Sequence, residues 1–101
     1  MNKPLKVLIT DSAKNDINNI FDFISTDNKT AALNLIDAFY KMFELLSNYP
    51  ETGTLKNDLA DKTIRIYSVK KNFVLVYRIK DNKIEILRVL TRYQNIFAVL
   101  N

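Results

Sequence analysis

The apolar positions change period twice along the chain, and those changes divide it into elements. Leu5 to Thr10 is a short apolar run with a β-branched bias, which predicts a first strand. Thr10, Asp11 and Ser12 then offer side-chain oxygens suited to capping a helix start. From Ala13 the apolar residues fall at Ala13, Ile17, Ile20, Phe21 and Ile24, the spacing of one helical face. Ser25-Thr26-Asp27-Asn28 interrupts it. A second helical face runs from about Lys29 to Tyr49, through Ala32, Leu35, Ile36, Phe39, Met42, Phe43 and Leu46. Two amphipathic helices joined by so few residues predict an antiparallel hairpin. Pro50 ends the second helix, because its ring clashes with the preceding turn and disfavours α geometry at Tyr49. Glu51-Thr52-Gly53 is read as a turn.

Residues 54 to 62 read as polar and irregular, with Leu55 and Leu59 as anchors. Beyond them a period of two takes over. Thr63 to Val69 alternates and predicts a strand, and Lys70-Lys71-Asn72 turns the chain. Phe73 to Ile79 sets Phe73, Leu75, Tyr77 and Ile79 against Val74, Val76 and Arg78. Asp81-Asn82 is a second tight turn. Lys83 to Thr91 is apolar on both faces for part of its length, which marks a central strand. The tail from Tyr93 to Leu100 is a short helix or loop that returns Ile96, Phe97 and Leu100 to the body. The predicted order is β-α-α-β-β-β. It describes one α+β domain over residues 1–101, a helical hairpin packed on a small, mainly antiparallel four-stranded sheet. The second sheet face should be only partly covered.

Composition narrows the chemistry. At 101 residues and 48% apolar, one domain with a core is expected. No apolar run reaches about 18 residues, so no membrane span is expected. The apolar run near the N-terminus is too short for a signal peptide, and a cytoplasmic location is expected. The chain contains no Cys and no His. That excludes disulfides, thiol nucleophiles, Cys-His zinc sites and a histidine general base. No cofactor and no metal is expected. Charge is unevenly placed: residues 1–55 carry a net −2 and residues 56–101 a net +6. The sheet-forming half should therefore face an anionic partner.

Several short signatures together resemble the RelE/ParE toxin superfamily, in its ParE-like branch. They are Ala13-x-x-Asp16-Ile17-x-x-Ile20-x-x-x-Ile24, Ala31-Ala32-x-x-x-Ile36-Asp37 and Leu46-x-x-x-Pro50-x-x-Gly53. Arg65 followed by Val74-Leu75-Val76-Tyr77-Arg78-Ile79 adds a fourth, and Ile84-x-Ile86-Leu87-Arg88-Val89-Leu90 a fifth. Order and spacing match along nearly the whole chain. The resemblance implies the toxin of a type II toxin–antitoxin pair, held inactive in a hetero-oligomer by a cognate antitoxin. RelE-like members cut mRNA on the ribosome, whereas ParE-like members inhibit DNA gyrase. The long hairpin resembles the ParE branch. Many relatives carry a His after the last strand; this chain has Thr91 there. That puts a His-dependent nuclease mechanism out of reach and leaves open one built on Arg, Lys or Tyr; the basic charge and tyrosines also permit a further alternative, a small nucleic-acid-binding module without toxicity.

The candidate site residues lie in the basic half. Arg88 sits among Ile84, Ile86 and Leu90, where an unpaired charge is costly. Either it binds phosphate or a transition state on an open sheet face, or it pairs with Glu85 or a helix acid. Arg65 either holds phosphate or guards a strand edge. Tyr93 either stacks on a base or transfers a proton, or it closes the end of the core. Arg65, Arg88 and Tyr93 would be the catalytic groups of a nuclease. Lys71, Arg78 and Arg92 are candidate binding residues for either target. Asp16, Asp22 and Asp37 read as solvated helix faces.

Overall fold

In the computed structural model, which describes residues 3–100, one threonine joins the two layers of the molecule. β1 (Lys6–Ile9) runs through Thr10 into α1 (Asp11–Ser25). The Thr10 hydroxyl oxygen accepts from Ala13 N at 3.2 Å and caps α1. The same hydroxyl donates toward Ile86 O at 2.9 Å and Leu87 O at 3.0 Å. α2 (Lys29–Asn48) is capped in turn by Asn28, whose side-chain oxygen accepts from Ala31 N at 3.0 Å. It ends before Pro50, which cannot continue a helix.

The remaining elements are β2 (Thr54–Leu55), β3 (Arg65–Val69), β4 (Phe73–Lys80), β5 (Lys83–Thr91) and α3 (Ile96–Leu100). The sheet order is β1-β5-β4-β3-β2, with β1 parallel to β5 and the other neighbours antiparallel. β5 is internal, between β1 and β4. Five strands form where four were expected. Thr54 and Leu55, read as irregular, pair with Ile66 and Arg65. A two-residue strand is too short to show a period, and it forms because the outer edge of β3 needs backbone partners.

Each sheet face carries a core. On one face Ala13, Ile17, Phe39, Phe43 and Leu46 of the hairpin bury Leu75, Tyr77, Ile84, Ile86 and Val89. On the other, Leu59, Ile64, Val76 and Leu90 are buried, with Leu87, Ile96, Val99 and Leu100 packed against them. Segment 56–64 and α3 thus cover much of the face expected to be partly open. Tyr77, fully buried, closes the first core at its end. Its hydroxyl accepts from Gly53 N at 2.8 Å and donates to Pro50 O at 2.8 Å. A Cβ on Gly53 would lie 2.6 Å from the Tyr77 ring and 2.8 Å from Ile66 O, so only glycine fits this turn.

β5 contains a bulge. Val76 pairs with Arg88 and Tyr77 with Ile86, which leaves Leu87 as the extra residue. The side chains turned toward the hairpin are therefore Ile84, Ile86 and Val89, and Arg88 drops out of that series. Among the described residues no helix is long and apolar enough to cross a membrane.

Candidate target-binding rim

The strand arginines are engaged from within the molecule. β1 lies beside β5 only from Lys83 to Ile86, and past that point the start of α1 replaces it. There the Asp16 carboxylate accepts from Arg88 Nε at 2.7 Å and Nη2 at 2.8 Å, a two-pronged pair. Asp16 also accepts from Val89 N at 2.9 Å, an N–H of the strand segment that β1 does not reach. Hydrogen bonding to Asp16 holds the Arg88 proton more tightly than in a free arginine. Arg88 is thus turned to a helix acid, not to an open sheet face. Asp16, read from sequence as solvated, is 13% exposed at its side chain.

Arg65 and Arg78 are held similarly. Arg65 Nη1 donates to Gly53 O at 2.7 Å and Glu51 O at 3.3 Å, tying β3 to the turn after α2. Arg78 Nε donates to Glu85 at 2.6 Å and Nη1 to Asp61 at 2.8 Å, which fastens segment 56–64 to the second face. The hydrogen bond to Glu85, then that to Asp61, raises the Arg78 pKa. Asp61 is held below the usual carboxylate range by the Thr63 hydroxyl and backbone N–H, helped by Arg78. These three arginines do not converge on one site.

The remaining candidates do come together, at the end of the sheet formed by the β3–β4 turn and the exit from β5. Arg92 N donates to Asn72 O at 2.9 Å and joins the two segments. Lys70, Lys71, Arg92 and Tyr93 are all exposed there. The Arg92 guanidinium lies 5.2 Å from the Tyr93 ring centre, a cation–π contact on a residue that is 82% exposed. Among the described residues, Lys70, Lys71 and Arg92 form no ion pair. Beside Arg92 a cavity of about 210 Å³ opens on the second face, with Lys56 on its wall and Ile66, Val74, Leu90 and Ile96 among its lining. Lys56 also lies 5.2 Å from the Phe97 ring centre. It escaped the sequence reading because its segment shows no period. Among the described residues no group of three or more carboxylates is placed to hold a metal.

The rim can offer cations and an aromatic face to an anionic partner. It brings no histidine; among the described residues Lys56 pairs with Asp58 at 3.2 Å, and no carboxylate is in ion-pair contact with Lys70, Lys71 or Arg92.

Comparison with known proteins places this architecture. A chain of the chromosomal ParDE toxin–antitoxin system of P. aeruginosa superposes with a TM-score of 0.73 at 18% identity, covering 89% of this chain and 98% of that one. A chain of the RelBE2 toxin–antitoxin complex of Mycobacterium tuberculosis gives a TM-score of 0.60 at 21% identity, covering 88% and 99%. A conserved hypothetical protein of Helicobacter pylori gives 0.57 at 19% identity, covering 89% and 97%. At these identities the likeness shows the fold. Among curated proteins no sequence match was found. The family model for the ParE toxin of type II toxin–antitoxin systems matches residues 7–96. With that match spanning nearly all of β1 through the first residue of α3, the chain belongs to the ParE toxin family, within the RelE/ParE superfamily.

Proposed function

We propose that this toxin stops growth by binding DNA gyrase in the cytoplasm, as a protein inhibitor without a catalytic step, and that a cognate antitoxin neutralises it. The observation that carries the reading is the engagement of Arg65, Arg78 and Arg88 by internal oxygen acceptors. Cleavage of RNA through its 2′-hydroxyl needs a base, an acid and a stabiliser of developing charge. The sheet arginines already have partners, and the chain has no histidine to act as base. A binding toxin needs only a complementary surface, and the exposed Lys71, Arg92 and Tyr93 provide one. The antitoxin partner is supported by the two relatives described as toxin–antitoxin systems. A net +6 over residues 56–101 favours an acidic antitoxin segment.

One observation favours a second reading, ribosome-dependent mRNA cleavage: Lys71, Arg92 and Tyr93 meet at one end of the sheet, where a cation and a phenol could assist phosphodiester chemistry. Arg65 and Arg88 would join it only after release from their present partners. Induction of the toxin in cells, with plasmid supercoiling and transcript ends as paired readouts, separates the two. Gyrase inhibition predicts relaxed plasmid with intact transcripts. Cut transcripts with unchanged supercoiling would support the nuclease, and harmless expression would overturn both.

A further inference from the structure

The outer face of the helical hairpin carries an apolar end and a hollow on the same side. Leu33 and Tyr40 lie seven residues apart on α2, close to two full turns, and so share a face. They stay 52% and 49% exposed. Beside Tyr40 a cavity of about 240 Å³ opens between the helices, lined by Lys14, Ile17, Asn18 and Tyr40. The Tyr40 ring is braced edge-on against Phe43, with ring centres 5.3 Å apart. Phe21 follows Lys14 by seven residues on α1, so in the antiparallel hairpin it stands level with Leu33. Phe21 is half-buried and joins neither core. The face is therefore apolar toward the hairpin tip and hollow about 10 Å further along.

The charges of α2 run against its own dipole. A helix favours acids at its N-terminal end and cations at its C-terminal end. α2 opens on Lys29, has no acid in its first turn and no base in its last, and carries Glu44 near its end. Among the described residues Lys29 and Glu44 form no ion pair. Each lies four residues outside Leu33 or Tyr40, on the same face. The stripe Lys29, Leu33, Tyr40, Glu44 is complementary to its own reverse. A second α2 laid antiparallel on it sets Glu44 against Lys29 and Leu33 against Tyr40, twice over. Each charge then sits beside the helix end that favours it. Asp37, at the middle of the stripe, is offset by Lys41 at 3.4 Å. An acidic antitoxin segment is drawn instead to the half with net +6.

We propose that two copies of this chain associate through their outer hairpin faces about a two-fold axis. Leu33 of each copy seats in the cavity beside Tyr40 of the other, and Lys29 of each pairs with Glu44 of the other. The contact uses none of the rim residues and does not depend on gyrase being the target.

Sedimentation equilibrium of the purified full chain, free of antitoxin, over a range of concentrations tests it. The expected result is a monomer–dimer equilibrium that approaches twice the chain mass. Leu33→Lys should weaken the dimer by roughly 30-fold or more, because two leucines lose their burial. Lys29→Glu alone, or Glu44→Lys alone, sets like charges together twice per dimer and should weaken it by roughly tenfold. An equimolar mixture of these two variants should regain the wild-type affinity, since each supplies the charges that the other lacks. Positions 29 and 44 are about 22 Å apart along one helix, so this recovery reports contact between copies. Melting temperatures close to wild type show that the variants fold. A single-chain mass at every concentration, a dimer indifferent to Leu33→Lys, or a mixture no tighter than its components would each overturn the assignment. So would a monomeric chain whose Leu33→Lys variant loses antitoxin binding, which would give the face to the antitoxin.

Discussion

Asp16 does three things with one carboxylate: it pairs twice with Arg88 and accepts the Val89 N–H. Removing it leaves both a cation and a strand donor without partners. Asp16→Ala should cost about 2–4 kcal/mol in urea unfolding, and Arg88→Ala less, about 1–3 kcal/mol, because Val89 keeps its acceptor. A double-mutant cycle should give a coupling of about 1–3 kcal/mol, and additive losses would refute the pair's importance. Tyr77 makes a second residue-scale prediction. Burial raises its pKa above the ordinary value, so the folded state holds the phenol proton after the unfolded chain has released it. Its contribution is complete below about pH 10 and is lost as pH climbs toward the raised folded value. Tyr77→Phe should lower neutral-pH stability by about 1–3 kcal/mol through its two lost hydrogen bonds and flatten the alkaline decline. An unchanged alkaline slope in the variant would contradict this.

At the scale of elements, two local irregularities shape the sheet: the β3–β4 turn at the rim, and the β5 bulge at Leu87, mid-strand opposite Val76 and Tyr77. Lys70→Asn with Lys71→Gly should stabilise the protein by about 1–2 kcal/mol by relieving left-handed strain at two positions, measured by urea unfolding. A loss of stability would show that the lysines support the turn. The hairpin, the long strands and the central place of β5 were legible because each spans enough residues to show its period. β2 was not, at two residues. Nor was the fate of Arg88. A strict alternation from Ile84 and Ile86 would turn Arg88 toward the hairpin, and the extra residue at Leu87 gives that place to Val89. A charge in the slot of an apolar series was the one visible sign of the bulge. Asp16 is 72 residues from its partner, beyond the reach of any local pattern. Arg65, Arg78 and Arg88 looked alike in sequence to Arg92, and only tertiary contacts distinguish three engaged arginines from the exposed one.

At the scale of the whole molecule, two cores on opposite sheet faces leave one end of the sheet for contact. The acidic half folds into the hairpin that supports the sheet, and the basic half presents its unpaired cations at the rim. This division suits a toxin that works by occupying a surface. The most direct measurement is DNA supercoiling by purified gyrase as the purified toxin is titrated in, with and without its antitoxin. The account predicts progressive loss of supercoiling that the antitoxin reverses; full supercoiling at a large molar excess of folded toxin would contradict it.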